Sequence, residues 1–125
     1  MIHFEIHASQ PQLLIDFYTS LFAWKFQQWG DREYSQIETG PADQAGINGG
    51  LVRRRGSTPV ESQAVNVFVC AVQVTSVDEF FSKVLSLGAS VAIPKMPIAG
   101  VGWLAYIRDS DSNLIALMQP DAAAK

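Results

Sequence analysis

Residues 2–21 read IHFEIHASQPQLLIDFYTSL, and residues 65–87 read VNVFVCAVQVTSVDEFFSKVLSL. The first stretch opens with alternation: Phe4, Ile6 and Ala8 fall on one face of an extended chain and His3, Glu5 and His7 on the other. A period of two is the signature of a half-buried strand. Ser9 then predicts a helix start, its hydroxyl capping a free backbone N–H with Gln12 three residues on, and Pro11 suits the first turn. Leu13, Leu14, Phe17, Tyr18 and Leu21 supply the apolar stripe, and the helix should stop near Ala23. The second stretch repeats this order. Val65–Val74 is rich in β-branched residues, and Ser76 opens a helix with Glu79 at the capping-box position. Its stripe is Val77, Phe80, Phe81, Val84 and Leu87, with Gly88 as the stop.

Three short strand-like runs follow each helix. In the first half they are Trp24–Trp29, Tyr34–Glu38 and Ile47–Arg53, broken by Gly30-Asp31 and by the loop from Gly40 to Asp43. In the second they are Ser90–Met96, Trp103–Arg108 and Asn113–Met118, broken by Pro97–Gly100 and Asp109–Ser112. The chain therefore reads β-α-β-β-β twice, as modules 1–60 and 61–120, with 121–125 a disordered tail. A module of about 60 residues buries its own sheet poorly. The expected architecture is α+β: a curved, eight-stranded, mostly antiparallel sheet around a cavity, with both helices on its outer face.

Composition bounds the function. The chain has 125 residues, 48% of them apolar, and a net charge of −3, without the concentrated basic surface that nucleic acid requires. Its one cysteine, Cys70, leaves no intrachain disulfide and fits a reducing compartment. No run approaches the roughly 20 apolar residues of a membrane span, and MIHFEIHAS lacks the form of a signal peptide, so a cytoplasmic location is expected.

The stretches HFEIHAS running into IDFYTSLFAWKF, then INGGLVRR, then PKMPIAGVGWLAYIRDSDSN resemble the vicinal-oxygen-chelate superfamily. This superfamily contains glyoxalase I, extradiol dioxygenases and bleomycin-resistance proteins; the resemblance is nearest to the glyoxalase-like branch related to lactoylglutathione lyase. It implies a homodimer and, in the metal-dependent members, four metal ligands, one on the first and last strand of each module. His3 matches the first ligand. The second falls on Ile47–Arg53, which offers no carboxylate, histidine or glutamine; the third lies near Phe68–Cys70; the fourth matches Ala116 where a glutamate is expected. The chain also has Gln10 for aspartate, Ala23 for glycine, and Ser110 and Ser112 for proline and glycine. A catalytic ion needs about three protein ligands, so no cofactor is expected and a divalent metal, held through His3, is disfavoured.

Two functions stay open. One is a small-molecule-binding protein whose cavity has lost most of the metal ligands. The other is a glyoxalase-like lyase, isomerase or dioxygenase using Glu5 with His3 or His7, with an altered or absent metal. Glu5 in a partly apolar cavity would make a usable general base. Trp103, Tyr106, Trp24, Trp29 and Tyr34 are the aromatic candidates for a ligand, Trp103 first among them on a mobile loop begun by Gly100-Val101-Gly102, with Tyr106 on the opposite face of its strand. Leu114, Ala116 and Met118 form an apolar wall, Arg53 can hold a carboxylate by a two-pronged contact, and Gly49-Gly50 either admit a ligand or relieve a bend. Against these stand the plainer readings: aromatic side chains in the core, Cys70 as a buried apolar residue, Arg53–Arg55 as a solvated strand end, and Asp109–Ser112 as a hairpin turn.

Overall fold

The computed structural model describes residues 1–30, 33–60 and 62–125, and the chain divides into two units, Met1–Pro59 and Val60–Lys125. In the first, β1 (Phe4–Ala8) leads into α1 (Pro11–Phe22), followed by β2 (Lys25–Gln28), β3 (Tyr34–Glu38) and β4 (Gly49–Arg53). In the second, β5 (Ala71–Gln73) leads into α2 (Val77–Ser86), then β6 (Ser90–Ile98), β7 (Gly102–Arg108) and β8 (Leu114–Pro120). The eight strands form two four-stranded sheets in the orders β1-β4-β3-β2 and β5-β8-β7-β6. In each sheet the first and last strands of the unit run parallel and the remaining neighbours antiparallel. This is an α+β fold of two βαβββ modules.

The alternation in β1 has the consequence expected of it. Ile6 and Ala8 are buried while Glu5 and His7 are exposed, so the apolar row faces α1. From α1 come Leu14, Phe17, Tyr18 and Leu21, all buried, each contributing roughly 1.5–3 kcal/mol of transfer free energy. Leu13, at the stripe's edge, is 52% exposed. Trp24 completes this core, stacked on Tyr18 at 5.1 Å and packed near Phe22 at 4.9 Å and Phe4 at 6.0 Å. In the second unit Val77 and Val84 of α2 are buried with Ala105, Ile107, Ile115 and Leu117. Phe80 and Phe81 are half-buried and Leu87 is exposed, so the α2 stripe is narrower than its sequence implies.

The two helix starts differ. Ser76 caps α2 as expected, its hydroxyl accepting from the Glu79 N–H at 3.2 Å. Ser9 does not cap α1: the N-cap is Gln10, which makes no side-chain cap bond, and the Ser9 hydroxyl pairs with that of Thr58 at 2.9 Å. Proline restricts the residue before it to extended backbone, so Pro11 fixes the helix boundary at Gln10. Strand ends shift as well. The Val65–Val74 strand is confined to Ala71–Gln73, because its ladder partner is β8 and pairing reaches upstream only through the Ala116 N–H on the Cys70 carbonyl at 2.9 Å. Val65, Val67 and Phe68 are left exposed, and so is Cys70, which is not the buried residue its type implies. The Gly30-Asp31 turn keeps its positive φ at Gly30 (64°), while Asp31 lies outside the described residues.

The tail after Pro120 does not fray. Ala124 is buried, its N–H donates to the Asp121 carbonyl, and its carbonyl accepts from Gly100 at 3.0 Å. With Val101 bonded to Ile98 and Asp121 to Val101, the segment expected to be a mobile loop is a tied turn. Asp109–Asn113 is a hairpin turn organised by one buried carboxylate. Asp109 Oδ1 accepts from the N–H groups of Asp111 and Asn113, and Oδ2 accepts from the Asn113 amide.

Ala23 and Ser112 have φ of 57° and 62° in the left-handed region. Both stand where the resemblance implies glycine, and each holds a backbone conformation that its side chain disfavours. Left-handed strain for a non-glycine residue exceeds the entropy cost of glycine. Ala23→Gly and Ser112→Gly are each expected to stabilise the protein by about 0.5–1 kcal/mol, read as a raised midpoint of urea unfolding.

Candidate functional site

The pairing registers place side chains in rows across the open face of the first sheet, opposite α1. His3 and Asn48, the residues immediately preceding the Phe4–Gly49 pair, lie in line with Glu38 and Lys25. The next row runs Glu5, Gly50, Gln36, Gln27, and the third is His7, Val52, Tyr34. A pocket of about 560 Å³ opens here, lined by His3, Lys25, Gln27, Tyr34, Gln36, Glu38 and Asn48 together with Phe26, Ile37 and Gly49. Asn48 is held by its Oδ1, which accepts from the Thr39 N–H at 3.0 Å, while the Thr39 hydroxyl donates to the Ile47 carbonyl at 2.8 Å.

Gly49-Gly50 make this surface possible. A Cβ on Gly49 would lie 2.6 Å from the Phe4 carbonyl oxygen and 2.7 Å from the Phe4 ring. One on Gly50 would meet the Tyr34 ring, with Cε2 at 2.6 Å. Each glycine is therefore occupied by an aromatic ring, on opposite faces of β4, and no ligand is required to explain either. Trp29 stands beside Tyr34, ring centroids 6.3 Å apart, and is 66% exposed.

The remaining predicted residues are dispersed. Glu5 Oε1 lies 3.6 Å from His7 Nε2, both side chains half-exposed, so Glu5 lacks the apolar surroundings within its unit that would favour it as a base. Arg53 shares the α1 side with Leu51 and pairs with Glu33 at 3.3 Å, the solvated strand end rather than a clamp facing the pocket. In the second unit Tyr106, Leu114, Ala116 and Met118 do share a face: register pairs Tyr106 with Ala116 and Arg108 with Leu114, and Leu104 with Met118. Trp103 alternates to the α2 side, where its indole N–H donates to Asp121 Oδ2 at 3.0 Å and Lys95 lies over its ring at 4.8 Å. Trp24 is core. Among the described residues no three His, Cys, Asp or Glu side chains gather as a metal would need, and no helix is long and apolar enough to cross a membrane.

Reasoning from sequence found His3 and Tyr34 but passed over Lys25, Gln27, Gln36, Glu38 and Asn48. The signal was present as alternation, since Gln36 and Glu38 are the polar positions of β3 and Lys25 and Gln27 their cross-strand partners.

No family model and no curated protein matches this sequence. Solved structures do match. The genomically encoded fosfomycin resistance protein FosX from Listeria monocytogenes has a TM-score of 0.71 at 19% identity, over 97% of this chain and 93% of that one. A further FosX structure, TM-score 0.74, contains manganese(II) and 1S,2S-dihydroxypropylphosphonic acid. TioX from Micromonospora sp. ML1 has a TM-score of 0.68 at 18% identity, covering 96% and 98% of the two chains. A glyoxylase/bleomycin resistance protein/dioxygenase domain from Frankia sp. EAN1pec has 0.70 at 19%, covering 97% of each. The chain has the fold of the vicinal-oxygen-chelate superfamily.

The glycine pair gives a graded prediction. Gly49→Ala meets backbone that cannot yield and should cost about 1–3 kcal/mol, whereas Gly50→Ala meets a side chain that can swing aside and should cost less. Chemical denaturation of the two variants measures the order.

Asp121 gives a pH prediction. The Ala123 N–H, the Trp103 indole and, more weakly, the Lys95 charge hold its carboxyl below the ordinary carboxylate range, against a smaller opposing effect of burial. A carboxylate whose folded pKa is depressed contributes stability that is complete above its unfolded pKa and disappears as pH falls through the folded one. The stability difference between wild type and Asp121→Asn should thus be constant near neutrality and shrink below about pH 4, as urea unfolding at a series of pH values would show.

Proposed function

We propose that this chain is a small-molecule-binding protein of the glyoxalase/bleomycin-resistance kind, working in the cytoplasm as a homodimer and without a resident metal. The observation that carries the reading is the pocket on the open face of the first sheet, where His3, Tyr34 and a set of polar side chains converge over the paired glycines. The fold shared with fosfomycin-resistance and bleomycin-resistance structures supports it. Dimerisation is supported by Ile2 and Phe68, exposed at 92% and 90%, apolar surface of the kind a second copy buries. The net charge of −3 disfavours nucleic acid.

The superfamily's divalent ion does not fit the residues present. His3 supplies one nitrogen, but the Asn48 oxygen in its row already accepts from Thr39, the Glu38 carboxylate stands opposite Lys25, and on β8 the matching residue is Ala116, buried beside Tyr106. Among the described residues no third His, Cys, Asp or Glu joins His3 and Glu38 to complete the three protein ligands a catalytic ion needs.

The Glu5–His7 pair favours a second reading, a glyoxalase-like enzyme. Its two groups, 3.6 Å apart on the same open face, are able to pass a proton to and from a bound substrate. One set of measurements separates the two. Elemental analysis of purified protein should find no stoichiometric Ni, Zn, Fe or Mn, and the adduct of methylglyoxal with glutathione should not turn over. Metal at one equivalent that is lost in His3→Ala overturns the metal-free reading. Turnover abolished by Glu5→Gln replaces the binding function with the enzymatic one.

A further inference from the structure

We propose that the pocket of the first unit takes a sugar ring, either free or as the glycosyl part of a larger molecule; this rests on the binding function proposed above. Uncharged hydrogen-bonding groups dominate its polar lining. Gln27 and Gln36 are register partners, and Asn48 stands one row away with its oxygen already committed to Thr39, leaving its amide N–H groups to a ligand. A carboxamide both donates and accepts, which is what a hydroxyl requires of its partner, and a ring bearing several hydroxyls needs several such groups at fixed spacing. Neighbouring strands lie about 4.8 Å apart, a separation comparable to the width of a six-membered ring.

The charges in the pocket point the same way. Lys25 and Glu38 are direct cross-strand partners of opposite sign, so these two charges offset one another. Among the described residues the side chains of Lys25, Gln27, Gln36 and Glu38 make no hydrogen bond or ion pair with the protein, so their bonding capacity is open to a ligand. Glu38 accepts and Lys25 donates, which extends the hydroxyl-binding set without imposing a charge requirement.

An aromatic platform adjoins this polar row. Trp29, 66% exposed and 51° from the plane of Tyr34, leaves an indole face uncovered, and the Tyr34 ring is fixed over Gly50. A large exposed indole has no structural role in the core of this unit, which is built from Tyr18, Phe22 and Trp24. The C–H face of a pyranose is apolar and stacks on an aromatic surface while its equatorial hydroxyls reach sideways to polar groups.

The test uses the full chain and two probe panels, followed by saturation-transfer NMR and tryptophan fluorescence. The first panel is methyl β-D-glucopyranoside, methyl α-D-mannopyranoside, N-acetylglucosamine, cellobiose and p-nitrophenyl β-D-glucopyranoside. The second, without sugar, is indole, benzoate and phenylalanine. At least one sugar should bind saturably, with a Kd of about 10 mM or tighter, and Trp29→Ala and Gln36→Ala should each weaken it about tenfold. Both positions are exposed, and an unchanged circular dichroism spectrum will show that the variants remain folded. An aryl glycoside binding more tightly than the methyl glycosides supports a glycosylated ligand, and equal binding supports the free sugar. Sugar binding that survives Trp29→Ala overturns the proposal. So does a second-panel compound that binds while no sugar does, which leaves the binding function standing; binding from neither panel overturns both.

Discussion

The first unit is organised around the absence of two side chains. At Gly49 and Gly50 the strand β4 passes between the Phe4 ring on one face and the Tyr34 ring on the other, at distances no Cβ tolerates. Closing one face lets Phe4 join Trp24, Tyr18 and Phe22 in the aromatic core beneath α1. Closing the other sets Tyr34 flat over the sheet, where it forms part of the pocket and supports Trp29. The core and the pocket wall are therefore two consequences of the same pair of residues. A larger side chain at Gly50 would have to displace Tyr34, so the small residue and the aromatic surface are sterically linked.

Ala23 and Ser112 adopt the left-handed backbone that glycine serves best, and Asp109 gathers the turn before β8 through three hydrogen bonds. The groups this scaffold presents are carboxamides and a facing Lys25–Glu38 pair in the first unit, and Tyr106, Ala116 and Met118 on the open face of the second. Such a distribution supports the proposed recognition by neutral hydrogen bonds and apolar contact. It also explains how 19% identity to a fosfomycin-resistance protein coexists with a TM-score of 0.71: the positions that specify the backbone tolerate wide variation elsewhere.

Local patterns carried the fold because their causes are local. Alternation in residues 3–8, the stripe from Leu14 to Leu21 and the Ser76–Glu79 cap each depend on neighbours a few positions away. The misreadings have equally physical origins. Ser9 lost its cap to Pro11, whose ring fixes the preceding residue, and the Val65–Val74 strand shortened because β8 supplies pairing only near Cys70–Gln73. The terminal segment was read as frayed on its small residues, yet Ala124 is buried through bonds to the 98–101 turn, a contact across more than twenty residues.

By itself the sequence determined the duplicated βαβββ order, the buried rows of β1 and α1, and the scarcity of histidine and cysteine, since periodicity and residue type are properties of the chain. Only the tertiary structure decided which polar positions converge. Lys25, Gln27, Gln36, Glu38 and Asn48 come from three strands separated by loops, and they form one surface because β2, β3 and β4 pair in a single register. The same register turned Arg53 and Trp103 away from the open sheet faces, because in a strand each step of one residue reverses the side.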